Sequence, residues 1–242
     1  MGYEELNITE LLKEGSKKYG LNMNDKQVNA FFSYMKVLLE WNEKINLTAI
    51  EDEREVIIKH FIDSLSILPY IENKESTMID IGTGGGFPGI PIKIALENVH
   101  VTLLDSLDKR IKFLNEVINI LELKNINAVH GRAEDYGMKG EYREKYDIAT
   151  ARAVANLPVL LEYCLPFVKT GGIFIAMKGS STEELESSAK ALSILGGKIE
   201  KVETLELPFS DAKRNIVIVR KLRQTPTKYP RKAGKPSKEP LV

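Results

Sequence analysis

The stretch TMIDIGTGGGFPGIPIKIALE, residues 77–97, decides the fold. A β-rich apolar run passes through Asp80 into a loop with glycines at 82, 84, 85, 86 and 89 and prolines at 88 and 91, then into an apolar helical stretch. Glycine at that density marks backbone that turns sharply or lies very close to something. Between a first strand and its helix, such a turn sets backbone N–H groups and a helix N-terminus at the carboxyl end of a sheet, where nucleotide-like ligands bind.

The rhythm repeats downstream. VHVTLLD, INAVHG, YDIATA and GIFIAMKG read as further strands, and FPGIPIKIALE, SLDKRIKFLNEVINILEL, NLPVLLEYCLPFV and STEELESSAKALSILGG can each supply a crossover helix. Two late runs, KIEKVETLEL and NIVIVRKL, follow each other directly. The pattern predicts an α/β fold with a doubly wound, seven-stranded, mostly parallel sheet and an antiparallel edge hairpin. Upstream, NDKQVNAFFSYMKVLLEWNEKIN has Asn24 as N-cap with Gln27 three positions on, and EREVIIKHFIDSLSIL repeats helical spacing until Pro69 stops it. The expected organisation is an N-terminal helical extension over 1–70, packed on a main domain over 71–222, then a basic, proline-rich tail over 223–242 that stays outside the core.

Two readings of the glycines compete. Gly84-x-Gly86-x-x-Gly89, with Asp105 following as a ribose acid, fits the dinucleotide fingerprint. One register earlier, Asp80-x-Gly82-x-Gly84-x-Gly86 fits the pattern of S-adenosylmethionine-dependent methyltransferases. Pro88 and Pro91 remove two N–H donors where a diphosphate would want them. S-adenosylmethionine has no phosphate; Asp80 suits its positive α-amino group, directly or through water, and Asp105 suits its ribose hydroxyls.

The chain has 242 residues, 43% of them hydrophobic, enough for one large domain. No apolar run approaches the roughly 20 residues of a membrane span, and the N-terminus lacks signal-peptide and myristoylation patterns, so a soluble cytoplasmic protein is expected. Cys164 stands alone, which excludes an internal disulfide and suggests a buried, inert thiol. His60, His100 and His130 have no metal-ligand spacing, and no metal is expected. The formal net charge of zero hides a polarity: from Lys213 onward ten Lys or Arg face a single acid, Glu239, while the first 212 residues hold 24 bases and 33 acids. Such a block marks a polyanion contact or a solvated tail.

A larger set of motifs carries a family resemblance: NLTAI (46–50), KHFIDSL (59–65), DIGTGGGFPGIPI (80–92), LLDSLDKRIKFL (103–114), GRAED (131–135), DIATARAVANL (147–157), KG (178–179) and YPRKAGKPSKEPL (229–241). Together they resemble the bacterial 16S ribosomal RNA guanine-N7 methyltransferase family, also called the glucose-inhibited division protein B family, over nearly the whole chain. The resemblance implies a class I, Rossmann-like methyltransferase that uses S-adenosylmethionine. It implies 16S rRNA or the small ribosomal subunit as partner, guanosine 527 of the decoding-region 530 loop as target, and a monomer. It also implies that Gly82 and Phe87 line the cofactor pocket, that Ala133 and Glu134 hold the adenine side, and that Arg152 lies at the pocket mouth. Glu134 has a plainer reading as a helix cap, and Arg152 as half of a structural pair with Asp147 or Glu134.

Guanine N7 carries an in-plane lone pair at neutral pH, so in-line attack on the methyl needs no general base. The expected catalytic residues are Arg152 and Lys178, positioning guanine O6 or a flanking phosphate. Lys59, His60 and Arg54 on the N-terminal helices, the basic tail, and Tyr229 as a stacking ring are the expected RNA contacts. Methylation of another RNA or a small molecule is the alternative activity, and an NAD-dependent oxidoreductase or a non-catalytic RNA-binding module the more distant ones.

Overall fold

The structure, a computed structural model, describes residues 6–152, 154–179 and 183–242. The readings at Gly2, at Ala153 within ARAVA and at the first residues of STEELESS lie outside them. Seven strands form one sheet: β1 (Thr77–Ile81), β2 (His100–Asp105), β3 (Ile126–His130), β4 (Tyr146–Arg152), β5 (Val168–Lys178), β6 (Gly197–Glu206) and β7 (Lys213–Lys221). Their order is β3-β2-β1-β4-β5-β7-β6, parallel through β5, with β7 antiparallel to both β5 and β6. The doubly wound, mostly parallel sheet predicted from the sequence is thus present. The winding reverses between β1 and β4, so the crevice at their carboxyl ends is the switch point where ligands bind in such sheets. Asp80 ends up beside Leu103 and Thr150, and Arg152 closes β4 at the same edge.

The helices are α1 (Ile8–Lys17), α2 (Asp25–Ile45), α3 (Glu53–Val56), α4 (Asp63–Leu65), α5 (Gly89–Ala95), α6 (Asp108–Ile120), α7 (Ala133–Tyr136), α8 (Leu157–Cys164), α9 (Glu183–Ser187), α10 (Ala189–Leu195) and α11 (Lys235–Lys238). At the start of α2, Asn24 and Gln27 exchange the reciprocal bonds of a capping box, satisfying two orphan N–H groups. Asn156 caps α8 with its side chain alone, accepting from the Val159 N–H, with Pro158 in the first turn where its missing donor costs nothing. Between α3 and α4 the backbone widens into a π-helical segment, Ile57–Ile62. Regular helical spacing had suggested an ordinary helix there; the wider turn delivers His60, Phe61 and Asp63 towards the sheet edge, and such bulges recur at functional sites.

Two cores flank the sheet. On one face Phe31, Leu38, Ile57 and Phe61 of the N-terminal helices pack with Ile90, Phe113 and Leu103. On the other, Leu160, Leu161, Cys164 and Leu195 pack with Phe174 and Val219. Burial pushes the Cys164 thiol well above its usual pKa, so it is neutral and unreactive in place.

The tail departs from expectation. Tyr229 and Leu241 belong to the second core, each only 8% exposed, and Pro236 is buried. Few apolar residues suffice because the polar ones are paired. Arg143 donates to the carbonyls of Gly137, Thr225, Pro226 and Tyr229, and Arg231 grips the fully buried Glu162. Tyr229 is therefore not an exposed ring for a base to stack on.

Phe61 is fully buried, with ring centroids 5.0 Å from Phe31 and 5.3 Å from Tyr34. Phe61→Ala is expected to cost about 3–5 kcal/mol, read as a lower urea midpoint at unchanged slope.

Candidate functional site

The glycine loop is tied down from below by Asp80. One carboxylate oxygen accepts from the Thr83 hydroxyl at 2.7 Å and from the Gly89 N–H at 2.9 Å, the first amide of α5. The other oxygen is buried with no hydrogen-bond partner among the described residues. Gly82, Gly84 and Gly86 all take positive φ, at 68°, 59° and 93°, which permits the double turn. At Gly86 a Cβ would also lie 2.6 Å from Ile90 and 2.7 Å from the Tyr34 hydroxyl, which itself donates to the Gly85 carbonyl.

Asp80 thus places its own negative charge on the helix N-terminus that a dinucleotide would need for its diphosphate. The arrangement suits a cofactor that brings positive charge and no phosphate. Burial raises the Asp80 carboxyl from 3.8 to about 6, against the bonds from Thr83 and Gly89, which lower it.

Asp105, at the end of β2, accepts from the Gly84 N–H at 2.9 Å and the Leu107 N–H at 3.0 Å and pairs with Arg110 at 3.1 Å. It stands where two cavities meet. One, about 300 Å³, is lined by Gly82, Asp105, Ala133, Glu134, Val154 and Tyr163 among others. The second, about 380 Å³, has Thr48, His60, Gly84, Phe87, Arg152 and Asp105 in its wall. Gly82, Asp105, Ser106 and Val154 line both. Two larger surface grooves lie elsewhere and include none of these residues.

In the second cavity Arg152 pairs with neither Asp147 nor Glu134. Its Nη1 donates to Asp63 at 3.0 Å and to the Lys59 carbonyl at 3.1 Å, and its Nη2 lies 3.1 Å from His60 Nδ1. Asp63 also accepts from Arg214 of β7 at 3.0 Å. A guanidinium can only donate, so Nδ1 is the acceptor and His60 carries its proton on Nε2, donated to Thr48 Oγ1 at 2.7 Å. Burial, reinforced by Arg152, lowers the His60 pKa to about 3, which keeps the ring neutral. That ring stacks on Phe87 with centroids 4.4 Å apart, and the Arg152 guanidinium sits 4.8 Å over the same phenyl.

His60 is therefore a half-buried part of the site and not an exposed helix residue. Lys59 is ion-paired with Glu55, and Arg54 donates to the Leu6 carbonyl, so these two are committed as well.

The structure brings Gly82, Gly84, Phe87, Asp105, Ala133, Glu134 and Arg152 to the two cavities. Asp80 and Gly86 stand behind the loop and line neither. Lys178 also lies outside both, donating to the Ala155 carbonyl at 2.6 Å and pairing with Glu184 at 2.9 Å. Lining residues that sequence reasoning did not assign to the site include Thr48, Ser106, Arg110, Val154, Tyr163 and Ser237, and Asp63 stands behind Arg152. Thr48 and Asp63 lie in quoted motifs, and Tyr34 falls three residues after Phe31 and four before Leu38 on the buried stripe of α2.

A family model described as rRNA small subunit methyltransferase G matches residues 27–217. The chain belongs to that family. It is 64% identical over 242 residues to the ribosomal RNA small subunit methyltransferase G of Acetivibrio thermocellus, covering 100% of both chains. To the protein of the same name from Alkaliphilus oremlandii it is 54% identical over 239 residues, 98% of this chain and 100% of the relative.

Among solved structures, YcgJ from Bacillus subtilis matches with a TM-score of 0.53 at 13% identity, over 68% of this chain and 100% of that one. P. horikoshii TYW2 in complex with MeSAdo matches with a TM-score of 0.50 at 16% identity, over 61% and 57%. Such distant likenesses show the fold alone. Family membership makes this protein a small-subunit ribosomal RNA methyltransferase, as the motif resemblance implied. No helix among the described residues is long and apolar enough to cross a membrane.

Asp63→Ala is expected to cost about 3–5 kcal/mol in urea unfolding, because it strands the largely buried Arg152 cation, whose side chain is 14% exposed. A carboxyl whose pKa is higher folded than unfolded holds its proton more tightly when folded, so the Asp80 burial penalty is full above about pH 6 and fades as pH falls towards about 4. The stability of the wild type relative to Asp80→Asn should therefore rise on acidification over that window. A difference independent of pH would remove the assignment.

Proposed function

We propose that this methyltransferase transfers a methyl group from S-adenosylmethionine to N7 of a guanosine in 16S rRNA, with guanosine 527 of the decoding-region loop as its target. The observation that carries the reading is the pair of cavities meeting at Asp105, one ending at Glu134 and the other at Phe87 and Arg152, beside a helix N-terminus already capped by Asp80. Bound S-adenosylmethionine would supply an electrophilic methyl on a cationic sulfur. The donors around Asp105 leave it lone-pair capacity for ribose hydroxyls, while Ala133 and Glu134 face the adenine end. Asp80 contributes its buried negative charge through the loop, behind Gly82.

His60 commits both ring nitrogens, to Arg152 and to Thr48, so the one imidazole in the second cavity is not available as a base. A reaction at N7 needs none, because the lone pair is already exposed. The work left to the protein is alignment: Phe87, held between His60 and Arg152, is a fixed wall against which the incoming base is placed. Arg152 keeps its Nε and one Nη2 hydrogen for guanine O6 or a phosphate. Lys178 acts through the Ala155 carbonyl, ordering the turn that carries Val154.

Exposed Lys213, Lys228, Lys232 and Lys238 supply the phosphate contacts, which makes RNA affinity strongly salt-dependent. The protein acts as a cytoplasmic monomer in this reading.

The test is single-turnover methylation of 16S rRNA or small subunits from cells lacking the enzyme, using labelled S-adenosylmethionine, with N7-methylguanosine mapped by chain cleavage after borohydride and aniline. Arg152→Ala should lower the rate about 100-fold through loss of alignment, and Lys178→Ala by a smaller factor. Wild-type rates in both variants, or label outside guanine N7, would overturn the reading.

A further inference from the structure

We infer that the C-terminal strap, residues 223–242, forms the outer wall of the adenosine end of the cofactor pocket and sets its affinity for the adenosine half of the cofactor. The inference rests on the cofactor reading above. The first cavity is bounded by strand-end residues on one side and by Gly234 and Ser237 on the other, about a hundred residues later in the chain. The contact is specific. Gly234, in the left-handed region at φ 82°, donates its N–H to Glu134 Oε1 at 2.9 Å. Glu134 is only 7% exposed, so the strap fixes one of its oxygens and leaves the other to face an adenine amino group. Ser237 Oγ meets the Tyr163 hydroxyl at 2.8 Å, joining α11 to α8 across the same cavity.

The strap is anchored too firmly to be a loose cover. Arg231 forks onto Glu162 with bonds of 2.6 to 3.1 Å, and its N–H donates to the same carboxylate at 2.8 Å. Glu162 is fully buried, so undocking would strand a carboxylate on α8, the helix that also carries Tyr163. Lys190 holds the Val242 carbonyl at 2.9 Å, and Tyr229 and Leu241 insert on either side of the anchor. Gly234 and Arg231 are thus positioning residues for Glu134 and for the cavity wall.

Isothermal titration with S-adenosylmethionine and with 5′-deoxy-5′-methylthioadenosine, which keeps the adenosine and methylthio groups and lacks the amino acid arm, tests this on the full chain. Ser237→Trp places bulk on an exposed strap position that faces the cavity. It should weaken both ligands by the same factor, at least about tenfold, with an unchanged unfolding temperature in the absence of ligand. Gly234→Pro, which cannot take the left-handed φ of 82°, removes the donor to Glu134 and also displaces the strap backbone there, and should weaken both ligands in parallel. Trypsin cleavage after Lys232 should slow in the wild type when either ligand is added.

Wild-type affinity in both variants, or a loss confined to S-adenosylmethionine, overturns the strap's role while leaving the cofactor reading intact. A wild type that binds neither ligand overturns the cofactor reading and the inference together.

Discussion

Asp63 is a buried carboxylate shared by two guanidiniums, Arg152 from the end of β4 and Arg214 from β7, and it reaches them from the N-terminal helices. Through Arg152 it also fixes the His60 ring, and through His60 and Arg152 together the Phe87 ring. Three separated parts of the chain are thereby locked at the switch point of the sheet. Desolvating three charges is costly, and the arrangement holds because each has a partner with direct hydrogen bonds. Burial pulls the Arg152 pKa down and Asp63 opposes that shift, and the hydrogen bonds to Asp63 and to the Lys59 carbonyl hold the guanidinium in place.

The glycine loop follows the same logic on a smaller scale. Asp80 spends one oxygen on Thr83 and on the first amide of α5, and Tyr34 reaches from α2 to the Gly85 carbonyl. The loop is therefore held from the sheet beneath and from the helical layer above. The N-terminal helices share a continuous core with one face of the sheet, and Phe87 and Ile90 of the loop and its helix belong to that core.

Much of this is legible in the sequence. The strand and helix alternation of residues 77–178, the antiparallel end and the Asn24 capping box follow from local pattern, and the prolines at 88 and 91 already argued against a diphosphate. What stayed hidden was long-range pairing. Nothing local in KHFIDSL says that Asp63 meets Arg152 and Arg214, and helical periodicity cannot show that the backbone widens over Ile57–Ile62 and turns His60 inward. The tail misled for a related reason: its composition is that of a solvated segment, and it docks only because Glu162 and Arg143 offer buried partners far away in sequence.

The Asp63 cluster carries two positive charges against one negative, so the wall beside Phe87 is cationic before any base arrives. A neutral guanine meets this charge with little penalty, since its O6 and N7 are acceptors. In the proposed reaction at N7 the positive charge moves from the cofactor's sulfur onto the base, and so onto the group that stands against Arg152 and Phe87. On that reading the side chains that align the reactants also disfavour retention of the methylated base, because the positive charge that the sulfur held before the transfer lies beside the Asp63 cluster after it.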